Sequence, residues 1–364
     1  MDRLQSVINQ LKENNYESAL VTSQANVYYL SNHYTDPHER LIAIYVDTAG
    51  NPLFILPEME KEDALAAGWK GDILTYKDQD NPWVLFQNHL KDRGSSPDTI
   101  AIEKEDFSVA RLEQLKQAVS GAQITDATSI LASLRVIKDK KEYTILKQAA
   151  DLADFGVKTG VEAIKAGITE MEILAKIEYE LKKQGVREMS FSTMVLSGKK
   201  TASPHGTPGQ DKIEPGDLVL FDLGVVFEGY CSDITRTVAY KNIGADQEKI
   251  YQTVLAAQEK AIQEAQIGNA AGKMDQSARE HIASQGYGQY FTHRIGHGIG
   301  VDVHEYPSLT SENDLSLQEG MSFTIEPGIY VPNVGGVRIE DELFMTKKGP
   351  ELLTNFPKTL QIID

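Results

Sequence analysis

The chain has 364 residues, enough for two cores rather than one, and its 41% hydrophobic and 24% charged residues are the balance of a globular protein. Lys plus Arg number 36 against 53 Asp plus Glu, a net charge of −17, which argues against nucleic acid or an anionic membrane as main partner. The single cysteine, Cys231, excludes an intrachain disulfide and a thiolate metal cluster.

The N-terminal stretch MDRLQSVINQLKENN has helical apolar spacing at Leu4, Val7, Ile8 and Leu11, but not the apolar core of a signal peptide. No later run is long and apolar enough to span a bilayer, so a cytoplasmic protein is expected. ALVT reads as a strand. LIAIYVDTAGNPLFILP reads as a hairpin turning at Ala49-Gly50-Asn51. A helix over 58–67, strand DILTY, a helix over 83–90, strand TIAIE and helix VARLEQLKQAV follow. This alternation predicts a small α/β domain. Within it, HYTDPHERL packs Asp36, His38, Glu39 and Arg40 into a loop between strands. The pattern changes near 126–136. Long helices are expected over 139–164 and 170–185, then a Gly- and Pro-rich loop, SGKKTASPHGTPGQDKIEPGD, leads into a hairpin. Helices over 247–266 and 270–285 lead to a second hairpin, MSFTIEPGIYVPNVGGVRIEDELFMT. The order helix, helix, hairpin thus occurs twice and points to pseudo-twofold symmetry.

Each hairpin contains two acids where apolar residues belong. In DLVLFDLGVVFEGYCSDITRTVAY, Asp222 and Asp233 are symmetric about Phe227-Glu228, with turn chemistry at Glu228-Gly229. They should face each other or sit one step diagonal, with facing Cβ atoms roughly 4.5–5.5 Å apart. Glu326 and Glu340 are symmetric about Asn333. A single acid in a strand is usually solvated on an open face, but that explanation has to work for both pairs. Like charges so placed are destabilising without a cation or a shared proton, and a shared proton accounts for one pair only. Two divalent cations neutralise all four acids, and oxygen ligands suit Mg, Mn, Fe or Co, with Zn allowed. Histidine would tilt the choice toward Mn, Co or Zn. FTHRIGHGIGVDVHEYP supplies His293, His297 and His304, and SPHGTPG supplies His205. Gly296, Gly298 and Gly300 make a helical zinc motif unsuitable but let the backbone approach a ligand. The same glycines lack the strand-turn-helix context of a nucleotide site.

HGTPG, VLFDLG, YCSDITRT, GHGIGVDVHEYP, TIEPGIY and GGVRIED occur in an order that resembles the pita-bread metallopeptidases, most of all the proline dipeptidases, with aminopeptidase P as near relative. The resemblance covers the whole chain. It implies an α+β protein: residues 1–130 a creatinase-like N-terminal α/β domain, and 131–364 a pita-bread catalytic domain with pseudo-twofold symmetry. It places metal ligands at Asp222, Asp233, His297, Glu326 and Glu340, the bridging ones being Asp233 and Glu340. It places substrate and transition-state histidines at His205, His293 and His304, a further site arginine at Arg338, and a threonine behind the ligands at Thr235. Glu326 is the expected general base and acid. Arg294, where some relatives have a small residue, adds a cation beside the site.

The implied activity is hydrolysis of the amide bond before proline in Xaa-Pro dipeptides by two divalent ions, manganese first, cobalt or zinc as alternates. The alternatives are an aminopeptidase P acting on longer peptides, a metal-free creatinase-like hydrolase, and a non-catalytic protein of this fold. The expected partner is a small peptide, and the expected assembly a homodimer. In that dimer the loop Asp36–Arg40 could pair with Arg294 and restrict substrate length.

Overall fold

The spacing of Val7, Ile8 and Leu11 buries one face of α1 (Arg3–Glu13), the first element of a computed structural model that describes residues 3–364. The chain divides into two units, Met1–Arg135 and Val136–Asp364, shortly after the boundary expected at 130/131. In the first unit α1 is followed by β1 (Ser18–Val21), α2 (Gln24–Ser31), β2 (Ala43–Asp47), β3 (Leu53–Pro57), α3 (Lys61–Ala66), β4 (Asp72–Tyr76), α4 (Pro82–Asp92), β5 (Thr99–Ile102), α5 (Val109–Ala118), β6 (Gln123–Asp126) and α6 (Thr128–Val136). Its sheet has the order β4-β3-β2-β1-β5-β6. Only β2 runs antiparallel to its neighbours, as a hairpin strand must. Helix α2 was not expected from the sequence. It is capped by Ser23, but its apolar residues run consecutively (Val27, Tyr28, Tyr29, Leu30), so no amphipathic period is visible. In the charged loop, Arg40 pairs with Asp78 at 2.9 Å, and Asp36 accepts the His38 amide at 3.0 Å.

The second unit opens with α7 (Lys140–Ala163) and α8 (Glu170–Lys183), each started by a capping box, Asp139 with Glu142 and Thr169 with Glu172. Strands β7 (Glu188–Met189), β8 (Met194–Ser197), β9 (Leu218–Leu223), β10 (Val225–Phe227), β11 (Tyr230–Cys231) and β12 (Ile234–Tyr240) follow. The second half has α9 (Ala245–Glu264), α10 (Gly272–Ser284), β13 (Gly296–Gly298), β14 (Glu305–Leu309), β15 (Ser322–Ile325), β16 (Gly328–Val331), β17 (Gly335–Arg338), β18 (Asp341–Thr346), β19 (Gly349–Leu352) and β20 (Ile362–Ile363). The two main sheets are β20-β12-β9-β8 and β14-β13-β15-β18-β19. Each half is therefore a helix pair packed on three antiparallel strands, β8-β9-β12 or β13-β15-β18. Each half also has its own core: Ile173, Ile177 and Leu181 belong to one with Phe221, while Val254 and Met274 belong to the other with Phe323. None of the described helices is long and apolar enough to cross a membrane.

The halves bring corresponding acids to the same ends of corresponding strands. Asp233 immediately precedes β12 and Glu340 immediately precedes β18. In the second hairpin the pairs Ile325↔Asp341 and Gly328↔Arg338 set Glu326 across from Glu340, as expected. The first hairpin is shifted by one residue from the expected axis. Its turn residues are Glu228 and Gly229, both with positive φ (44° and 75°), the two-residue turn that suits twisted strands. Asp222 consequently pairs with Thr235, and the same register sets Asp233 across from Gly224. The two aspartates are thus diagonal rather than directly opposed. Gly224 is required there, because a Cβ would overlap the Ser232 carbonyl.

Candidate metal centre

Strand β13 is where the second sheet packs most closely. A Cβ at Gly296 would overlap the Thr324 carbonyl, and one at Gly298 the Tyr306 carbonyl. Between these glycines, His297 is buried, and its Nδ1 lies 3.1 Å from the Gly298 carbonyl. A carbonyl only accepts, so Nδ1 carries the proton and Nε2 presents a lone pair. That lone pair faces Glu326 Oε1 at 3.4 Å and Asp233 Oδ2 at 3.7 Å. Burial, with His304 nearby, pushes the His297 pKa down to about 3, so the ring is neutral. An unprotonated nitrogen facing two carboxylates is repulsive unless a cation or a carboxyl proton lies between them.

The carboxylates show the same strain. Asp233 and Glu326 are held well above the usual carboxylate range by burial and then by Glu340, and burial with Asp222 raises Glu340 to about 8. Asp222 Oδ1, Asp233 Oδ1 and Glu340 Oε1 are buried without a hydrogen-bond partner. One ligand atom each from Asp233, His297 and Glu340 lie within 4.8 Å of one another. The arrangement fits divalent metal: four carboxyl groups and a neutral imidazole, with Asp222, Glu340 and His297 tied back to the protein through their other atoms.

Those ties are specific. The Thr235 hydroxyl donates to Glu340 Oε2 at 2.6 Å and accepts from Arg338 Nε at 3.1 Å. Arg338 also donates to Asp222 and, at 2.7 Å, to the Tyr330 hydroxyl. Behind Glu340, buried Arg236 donates to the Glu340 carbonyl and pairs with Asp341 at 2.6 Å.

All ten site residues expected from the sequence line one cleft of about 410 Å³: the four acids Asp222, Asp233, Glu326 and Glu340, the four histidines His205, His293, His297 and His304, and the two arginines Arg294 and Arg338. Their states differ. His205 and His304 have no hydrogen bond to protein among the described residues, and the His304 ring lies 4.1 Å, centroid to centroid, from His297. His293 has both nitrogens engaged: Nδ1 donates to the Arg294 carbonyl at 2.8 Å, and Nε2 accepts from Tyr330 at 2.9 Å. Arg338 is committed to Thr235, Asp222 and Tyr330. Arg294 has only the Ser308 hydroxyl, at 3.1 Å, and no ion pair among the described residues. Sequence reasoning missed Tyr330, although the register Gly328↔Arg338 places its strand beside Arg338. It also missed the apolar wall of Phe191, Met194 and Val303.

Residues 3–137 match the Creatinase/Prolidase N-terminal domain, and residues 144–347 match Metallopeptidase family M24. YkvY of Bacillus subtilis (strain 168) is 51% identical over 363 residues, covering 100% of both chains. The Xaa-Pro dipeptidase of Lactobacillus helveticus is 42% identical over 100% of this chain and 98% of its own. The crystal structure of the prolidase from Pyrococcus horikoshii OT3 superposes with a TM-score of 0.92 at 34% identity, covering 99% of this chain and 100% of that one.

Proposed function

Because the chain belongs to metallopeptidase family M24, we propose that it hydrolyses the amide bond before proline in Xaa-Pro dipeptides with two divalent metal ions. The observation that carries this reading is the lone pair of His297 Nε2, which faces Glu326 and Asp233 beside buried oxygens of Asp222, Asp233 and Glu340 that have no partner. The names of the Lactobacillus and Pyrococcus relatives support the substrate class. Manganese as the first choice of metal and a homodimer rest on the resemblance, and a cytoplasmic location rests on the sequence reading of the N-terminal stretch and of the apolar runs.

Asp222, Asp233, His297, Glu326 and Glu340 would hold the ions. When bound, such a centre supplies a Lewis acid and lowers the pKa of water. The protein's own groups supply the rest. Glu326 takes the proton of the attacking water as its oxygen adds to the carbonyl carbon. His304, with no competing hydrogen bond, donates to the carbonyl oxygen as charge develops there. Glu326 then delivers the proton to the proline nitrogen, the C–N bond breaks, and a free amino acid and proline leave. His205 reaches the substrate from its exposed loop. His293 and Arg338, already engaged, position their neighbours. Arg294 is the cation available for the carboxylate of the dipeptide. The test is a panel of matched Xaa-Pro dipeptides and Xaa-Pro-Yaa tripeptides with Mn²⁺ or Co²⁺. A higher kcat/KM for the dipeptides is expected, and a tripeptide preference would refute the assignment.

A further inference from the structure

Lys138 is a buried cation that the chemistry above does not use. Its ammonium lies 2.6 Å from Glu305 Oε1, and the two side chains are 1% and 5% exposed. Desolvation opposes the attraction in such a pair, so stability alone does not explain its presence. Its location is more informative, because Glu305 directly follows His304.

The His304 imidazole has no hydrogen bond to the protein among the described residues, so its aim depends on its backbone and on the edge of His297. On one side that backbone continues into Glu305, the first residue of β14, which pairs with Gly298. The Glu305 carboxylate is held on two sides. Lys138 binds it, and Gly300 makes room for it, since a Cβ at Gly300 would overlap it. Lys138 is itself fixed: its amide donates to the Gly320 carbonyl at 2.8 Å, and Ile137 pairs with Met321 beside β15.

We propose that Lys138 is a positioning residue, which through Glu305 holds His304 against the carbonyl of the substrate. The inference rests on the role given to His304, and the test separates the two. Kinetics, metal content and thermal melting are measured for Lys138→Met, Glu305→Gln, the double variant, His304→Ala, and Lys138→Met in the His304→Ala background. Lys138→Met and Glu305→Gln should each lower kcat by about 10- to 100-fold, the cost of a misplaced group, with metal content unchanged. The double variant, which leaves no buried charge unpaired, should regain melting temperature but not kcat. In the His304→Ala background, Lys138→Met should cost less than about twofold. Three results would overturn the proposal: wild-type kcat in Glu305→Gln, recovery of kcat together with melting temperature in the double variant, or an undiminished Lys138→Met effect without His304. Wild-type kcat in His304→Ala would remove the role of His304 and this proposal with it. Should Lys138→Met fail to fold, Glu305→Gln decides.

Discussion

Thr235→Val should weaken metal binding without changing the shape of the site. Thr235 is fully buried, and its hydroxyl joins Glu340 Oε2, at 2.6 Å, to Arg338 Nε, at 3.1 Å. Valine keeps the volume and removes both bonds. Arg338 stays in place through Asp222 and Tyr330, so the loss falls on Glu340. Stripping a buried acceptor of its donor costs about 1–3 kcal/mol. Losing a partner behind a metal ligand typically lowers affinity about 10- to 100-fold. That range converts to about 1.4–2.7 kcal/mol, so the two routes agree. The assay is a Mn²⁺ titration of metal-free protein, following Xaa-Pro hydrolysis, with Thr235→Ser as the control that keeps the hydroxyl. Unchanged affinity in Thr235→Val would refute the reasoning. Equal damage in Thr235→Ser would also refute it, by assigning the effect to the methyl group.

Arg294→Met should raise KM for Xaa-Pro dipeptides by about 10-fold or more, the scale of a hydrogen bond to a charged group. It should leave metal content and kcat near wild type, and an unchanged KM would remove Arg294 from the substrate site. The metal-free protein should be more stable near pH 7 than near pH 8.5, because Asp233, Glu326 and Glu340 bind protons more tightly when folded, Glu340 with a pKa of about 8. The unfolded carboxylates titrate near about pH 4.3, so over this interval the native state holds the extra protons, and stability falls as pH rises through the folded pKa values. Bound metal, which needs these groups deprotonated, should abolish that trend, and thermal melting with and without chelator reads both cases. A metal-free protein that melts higher near pH 8.5 would contradict the assignment.

The acids of the two hairpins were legible because a carboxylate inside an apolar strand breaks the pattern around it. The second hairpin's register could be counted from its loop about Asn333. The first could not, since Glu228, a residue that seldom adopts positive φ, takes one of the two turn positions and moves the axis by a residue. Helix α2 was hidden by its consecutive apolar residues. Contacts across long stretches of chain were hidden for another reason: no local period links Lys138 to Glu305, 167 residues away, or Tyr330 to His293, 37 residues earlier. That second contact engages His293 Nε2, while Nδ1 is held by the neighbouring Arg294 carbonyl, so a histidine that looks equivalent to His304 in the sequence differs from it in the fold.

Metal content and Xaa-Pro hydrolysis measured together on one series of samples test the central claim most directly. Protein stripped of metal and reloaded stepwise with Mn²⁺ should be inactive at the start. Its activity should rise with bound metal to a plateau at about two ions per chain. Full hydrolysis by protein that elemental analysis shows to be free of metal would contradict the account.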